Sequence, residues 1–181
     1  MALDNDWGFE NDIKGKLGTA NVHGICMTTS CHWAKNCLKA GQPLTEPPAV
    51  DLNAAAAMHV IHTKQQIKID QGGGDFVQRV DVWHQGYFKC LGMTGTLLYS
   101  GNGLNWHVTS SHGVYILTIY GTGGHTMAFA RFPKRSVFFD PNYGQFSCGA
   151  SVFSSFKKDV KARLLKYTSL HGDWFIYKVR S

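Results

Sequence analysis

Apolar residues recur along this chain at two different spacings, and the change between them divides it. Up to about residue 91 the spacing is helical. In the segment 24–41, positions 26, 30, 33, 34, 37, 38 and 41 fall on one helix face, and Gly41 reads as its stop. A second helix is predicted over 51–69, with Asp51 as N-cap and an alanine-rich body. From 75 to 91, Phe76, Val80, Trp83, Tyr87 and Leu91 mark a third, capped by Asp75. Between these two, Gln71 to Gly74 is a glycine-rich connector. It follows no strand and no Gly-Lys-Ser/Thr closes it, so it is not expected to hold phosphate.

Beyond Gly92 the helical spacing is lost. Residues 92–113 are rich in glycine, serine and asparagine, which predicts loop with a short strand at Thr96–Tyr99. Val114 to Tyr120 is a strong β run, and Gly-Thr-Gly-Gly then turns the chain tightly into His125. Two adjacent strands follow, one opened by His125 and one closed by Asp140. A helix at 150–166 and a strand at 174–179 complete the pattern. Helices first and an antiparallel sheet later is an α+β arrangement. No internal repeat or long linker divides it. Residues 1–20 are expected to be a flexible N-terminal extension ahead of a single domain over 21–181.

In an antiparallel pair joined by a short turn, the start of one strand lies beside the end of the next. His125 and Asp140 are therefore expected to be neighbours. A histidine oriented by a carboxylate is the back half of a nucleophilic triad. The nucleophile is expected in the first predicted helix, where Cys26 occupies the first turn. Unpaired amides and the helix dipole there favour a thiolate, and an imidazole in reach lowers the thiol pKa further. Asn21, five residues earlier, is placed to donate to a tetrahedral oxyanion, with the Cys26 backbone N–H as second donor.

At these residues the chain resembles the YopT/AvrPphB family of bacterial effector cysteine proteases. The likeness lies in Gly24-x-Cys26-x6-Trp33, in His125-x-Met127-Ala128, in Phe138-Phe139-Asp140-Pro141-Asn142-Tyr143-Gly144-x-Phe146, and in the run from the 150–166 helix through Tyr167 to Val179. The resemblance implies a papain-like cysteine protease fold, with the nucleophile helix packed against a central antiparallel sheet. It implies a triad of Cys26, His125 and Asp140, and an oxyanion-hole asparagine matched by Asn21 through its spacing. It also implies a host protein substrate, such as a small GTPase or a kinase, cut in the host cytoplasm after export from a bacterium.

Composition changes this picture little. The chain has 181 residues, 44% hydrophobic and 17% charged, which suits one globular domain that buries a sizeable core. The N-terminus lacks the basic-then-apolar pattern of a secretory signal, so export without a cleaved signal peptide is expected. Five cysteines, an odd number without metal-type pairing, point to reduced thiols rather than a disulfide framework. No cofactor or metal is expected. The net charge of +6 gathers towards the C-terminus, at Lys157, Lys158, Lys161, Arg163, Lys166, Lys178 and Arg180. It reads first as a solvated helix face, and otherwise as contact with an acidic surface or membrane. Aromatics near it have core spacing, so no nucleic-acid partner is expected. A monomer is expected.

Rival readings exist for each site residue. Cys31, Cys37, Cys90 and Cys148 are expected to be packing residues. His59 and His62 have a helical metal spacing without a third ligand nearby. His107 and His112 fall in the loop-rich segment that would border a cleft. Asp140-Pro141-Asn142 also suits ordinary turn chemistry, and Asn142 is an alternative orienter for His125. The same triad serves a glutamine deamidase, a transglutaminase or a peptidoglycan amidase, and a degenerate site would leave only a binding module.

Overall fold

The fold is seen in a computed structural model that describes residues 5–7, 26–45, 52–71, 73–120, 124–149, 151, 153–164, 167 and 172–181. In chain order the elements are β1 (Asn5–Trp7), α1 (Cys26–Ala40), α2 (Leu52–Gln71), α3 (Phe76–Cys90), β2 (Thr94–Asn102), β3 (Gly113–Tyr120), β4 (Gly124–Arg131), β5 (Arg135–Asp140), β6 (Gly144–Gly149), α4 (Phe153–Leu164) and β7 (Asp173–Arg180). A short 3-10 turn at Trp106–Thr109 links β2 to β3. Among the described residues the strands form one sheet in the order β1-β6-β5-β4-β3-β7-β2, antiparallel throughout. This is the α+β arrangement expected from the element order, with α1 packed against the antiparallel sheet as the resemblance implies.

The central strands are buried on both faces, which explains why Val114 to Ile119 shows no polar alternation. One face carries Val114, Ile116, Ala128, Ala130, Val137, Phe139, Phe175 and Tyr177, and α1 and α3 pack on it. The other carries Tyr115, Leu117, Met127, Phe129, Phe138, Phe146 and Ile176, and Phe156, Val160 and Leu164 of α4 cover it. Both sides of the sheet centre are thus dry, and β3, β4, β5 and β7 each contribute to both cores.

Helix α1 forms where its spacing predicts. Ser30, Trp33, Ala34 and Cys37 of the expected face are buried, Leu38 is half-buried, and Gly41 ends the helix at φ +64° with its N–H on the Cys37 carbonyl at 2.9 Å. Asp75 caps α3 by accepting the Val77 N–H at 3.2 Å. Asp51, the expected cap of α2, lies outside the described residues, as do 121–123 of the glycine turn.

Three strands exceed the expectation. β2 runs over Thr94–Asn102 instead of Thr96–Tyr99 because it pairs along its length with β7, from Thr94↔Arg180 to Asn102↔Asp173. That long-range ladder overrides a glycine- and serine-rich composition, with an irregular register between Leu97 and Tyr99. β6 returns from the Pro-Asn-Tyr turn through Gly144, at φ +106°, and pairs Phe138↔Phe146. β1 comes from the stretch read as an N-terminal extension and lies at the sheet edge, with Asn5 opposite Phe146 and Trp7 opposite Gln145.

Candidate functional site: a cysteine, a histidine and an aspartate at a strand end

Two elements from opposite faces of the sheet meet at the start of β4. The register Ala128↔Phe139 puts His125 and Asp140 on the same face, one diagonal step apart. α1 approaches from the other face and is tied to β4 where the Ser30 hydroxyl donates to the Thr126 carbonyl at 3.0 Å. Cys26, the first residue of α1, is thereby brought to the strand end that carries His125.

Asp140 is fully buried, and both its oxygens are occupied. Oδ1 accepts from His125 Nε2 at 3.0 Å and from the Asn142 backbone N–H at 2.9 Å. Oδ2 accepts from the Tyr167 hydroxyl at 2.8 Å. The carboxylate therefore shapes the turn and holds the imidazole together, so the two readings of Asp140 do not compete. Asn142 is not the orienter. Its side chain is exposed and donates instead to the Tyr167 hydroxyl at 3.0 Å.

With Nε2 engaged by Asp140, Nδ1 of His125 is left to face the thiol. Burial works against a charge on His125, but hydrogen bonds and charge from Asp140 and Cys26 outweigh it and hold the imidazole up to about 9. Burial likewise opposes a thiolate at Cys26. The His125 imidazole and the backbone N–H groups of Thr126 and Met27 overcome it, and the thiol lies below its ordinary range. The two shifts belong to one coupled pair, and each favours thiolate with imidazolium over thiol with neutral imidazole.

The remaining cysteines differ in kind. Cys31 and Cys37 are buried, and burial pushes both thiols well above their usual value. Cys90 corrects its core expectation: it ends α3 and is exposed, while Cys148 is half-buried. His59 Nδ1 meets the Tyr87 hydroxyl at 3.3 Å, and His107 and His112 are exposed. Asn21 lies outside the described residues.

Two residues near the site carry roles that pattern alone did not suggest. His84, fully buried in α3, bonds the Val80 carbonyl through Nδ1 at 2.8 Å and the Thr118 hydroxyl through Nε2 at 2.9 Å. Burial lowers it to about 4, so it is a neutral strut, and Thr118 passes the contact on to Thr126 at 3.1 Å. Its place four residues after Val80 on the buried helix face was the available signal. Tyr167 is the second, and only its place in the C-terminal run marked it.

Residues 107–175 match the Peptidase_C58 family model, described as Yersinia/Haemophilus virulence surface antigen. No curated protein matches the sequence. Among solved structures, the chain is similar to the Pseudomonas avirulence protein AvrPphB, with a TM-score of 0.69 at 12% identity, over 100% of this chain and 97% of that one. The low identity carries the fold alone, and the matched segment contains both His125 and Asp140. The 107–175 segment is thus similar to the Peptidase_C58 family, and the chain as a whole shares the fold of AvrPphB.

Proposed function

We propose that the protein is an effector endopeptidase that cuts host proteins with Cys26 as nucleophile, His125 as acid and base, and Asp140 as orienter. The observation that supports this most is a single imidazole bonded to a buried carboxylate on one side and coupled to a helix-start thiol on the other. The Cys26 thiolate attacks the carbonyl carbon of the scissile amide. The Cys26 N–H and the Asn21 amide take the oxyanion, and loss of one such donor costs roughly 10²–10³ in kcat. Nδ1 of the imidazolium then gives its proton to the leaving amine, and the C–N bond breaks to leave a thioester. Water, deprotonated by the now neutral His125, attacks that thioester and releases the acid and the thiol. Asp140 keeps the Nε2 proton in place throughout, so Nδ1 is the atom that exchanges protons.

The reading extends to setting. The catalytic domain is built from 21–181 together with the edge strand β1 at Asn5–Trp7, and the protein acts in the host cytoplasm after export from a bacterium. Its partner is a host protein, with a small GTPase or a kinase as candidate classes. The net charge of +6 favours approach to an acidic surface. Part of that charge is already seated on aromatic rings, with Arg163 over Phe146 at 4.1 Å and Lys157 over Phe153 at 5.1 Å.

The test is a eukaryotic lysate treated with wild-type protein or with Cys26→Ala, scored by mass spectrometry for new protein N-termini and for deamidated glutamine. New N-termini made by the wild type alone support the endopeptidase. Deamidation without cleavage moves the same triad to a side-chain amide. Absence of both signals overturns the host-protein reading.

A further inference from the structure

The triad explanation uses Asp140 but not the side chain that encloses it. Tyr167, which follows α4, touches both members of the His125–Asp140 pair. Its hydroxyl donates to Asp140 Oδ2 at 2.8 Å and accepts from Asn142 Nδ2 at 3.0 Å. Its ring lies over the His125 imidazole, with centroids 4.3 Å apart and planes 24° from parallel. One side chain therefore fixes the outer carboxylate oxygen and covers one face of the imidazole.

We propose that Tyr167 is a positioning residue for the reaction. It locks the Asp140 carboxylate so that Oδ1 aims at Nε2, and it shields the Nε2–H···Oδ1 bond from water. The proposal rests on the Cys26–His125–Asp140 reading above. The physical argument has two parts. A carboxylate buried at 0% exposure needs donors on both oxygens, and without the Tyr167 hydroxyl Oδ2 has lost the one it holds. The carboxyl group would then turn about its Cβ–Cγ bond to seek another, and Oδ1 would leave the imidazole plane. The stacked ring limits the second freedom, rotation of the imidazole away from Cys26. A hydrogen bond screened from water in this way is also electrostatically stronger than an open one. Among the described residues, the titratable groups that face the pair are Cys26 from α1, Asp140 from β5, Tyr167 itself and Tyr143 behind it.

The experiment is the rate of Cys26 alkylation by iodoacetamide across a pH series, read by peptide mass spectrometry on the full chain. Exposed Cys90 serves as internal reference. Wild type should keep a thiolate-like rate at about pH 6, below the range of an ordinary thiol. Tyr167→Phe keeps the ring and loses the hydroxyl. It should react about 10- to 100-fold more slowly there, as expected for one hydrogen bond to a charged group. Its rate should return to that of wild type at alkaline pH, where Cys26 ionises unaided. Tyr167→Leu, which also loses the ring, should fall further, and Cys90 should be unchanged in both. A purely structural role would alter Cys26 at every pH alike.

His125→Ala separates the two claims. If it loses the acid-side reactivity while Tyr167→Phe keeps it, the Tyr167 proposal fails and the triad stands. If His125→Ala also keeps it, both fall. Should buried Cys31 and Cys37 become reactive in the Tyr167 variants, those chains have unfolded and the wild type decides. A downfield His125 Nε2 proton in slow exchange with water supports the shield, and rapid exchange overturns it.

Discussion

Trp33 of α1 lies flat against Phe139 of β5, with ring centroids 5.4 Å apart and planes 4° from parallel. Phe139 is the residue before Asp140, and Trp33 stands two helical turns beyond Cys26. The stack therefore joins the element that presents the thiol to the strand that presents the carboxylate. Trp33 is pinned at its other end, where the indole N–H donates to Gln145 Oε1 at 2.9 Å, and Gln145 in turn donates to the Leu44 carbonyl at 2.8 Å. Trp33→Ala should cost about 3–5 kcal/mol of stability, the range for deleting a buried aromatic. Chemical denaturation measures this. In the folded fraction, Cys26 alkylation on the acid side should also weaken, because the helix loses its fixed seat on β5.

Asp140→Asn tests charge separately from shape. The amide oxygen still accepts from His125, and the amide nitrogen meets the Tyr167 hydroxyl, which is able to accept. What disappears is the negative charge that helps hold His125 at about 9. Turnover on a cleaved host protein should drop about 10- to 100-fold. The His125 titration should move down towards its ordinary 6.5. An unchanged profile would mean that Asp140 acts only on the turn.

The pH dependence of cleavage follows from the same pair. His125 has a raised pKa, so the imidazolium that protonates the leaving amine is fully present below 6.5 and is lost as pH rises through about 9. Cys26 has a lowered pKa, so the thiolate is present above its ordinary value of 9.0 and persists below it, until acid protonates the pair. The rate should form a bell whose alkaline limb falls near 9. A pH-rate profile for a single cleaved peptide bond measures it. An alkaline limb near 6.5 would show that Asp140 and Cys26 do not raise the imidazole.

Away from the site, Gly95 in β2 has no room for a side chain. A Cβ built there would overlap Cε2 of Phe88, which is itself fully buried in α3. Gly95→Ala must push Phe88 out of its place and should cost about 1–3 kcal/mol, the usual penalty for overpacking. Thermal unfolding shows it as a lower midpoint. Gly92→Ala is a different case, with open space around its Cβ but φ at +67°, so its cost would be backbone strain alone.

Strong local signals made most of the architecture legible. The helices α1 and α3 were read from apolar spacing and the Asp75 cap, and β3 from its unbroken β run. Proximity of His125 and Asp140 followed from strand order alone. Less visible was β2, whose pairing with β7 joins residues at Thr94 and Arg180. No local window contains that contact. The role of Tyr167 was hidden for the same reason, since its hydroxyl meets Asp140 from 27 residues away. Exposure of Cys90 was missed because a cysteine at a helix end looks like one in the core until the neighbouring elements are placed.

Competition among the five cysteines of the native protein tests the central claim most directly. A limiting amount of iodoacetamide is added on the acid side of neutrality, and each thiol is scored by peptide mass spectrometry. Exposure alone ranks Cys90 first, since Cys26 is only partly exposed. Activation by His125 ranks Cys26 first, because the thiolate and not the thiol is the nucleophile. The account predicts that Cys26 is labelled well ahead of Cys90 and that His125→Ala removes the lead. Labelling of Cys90 ahead of Cys26 in the wild type would contradict it.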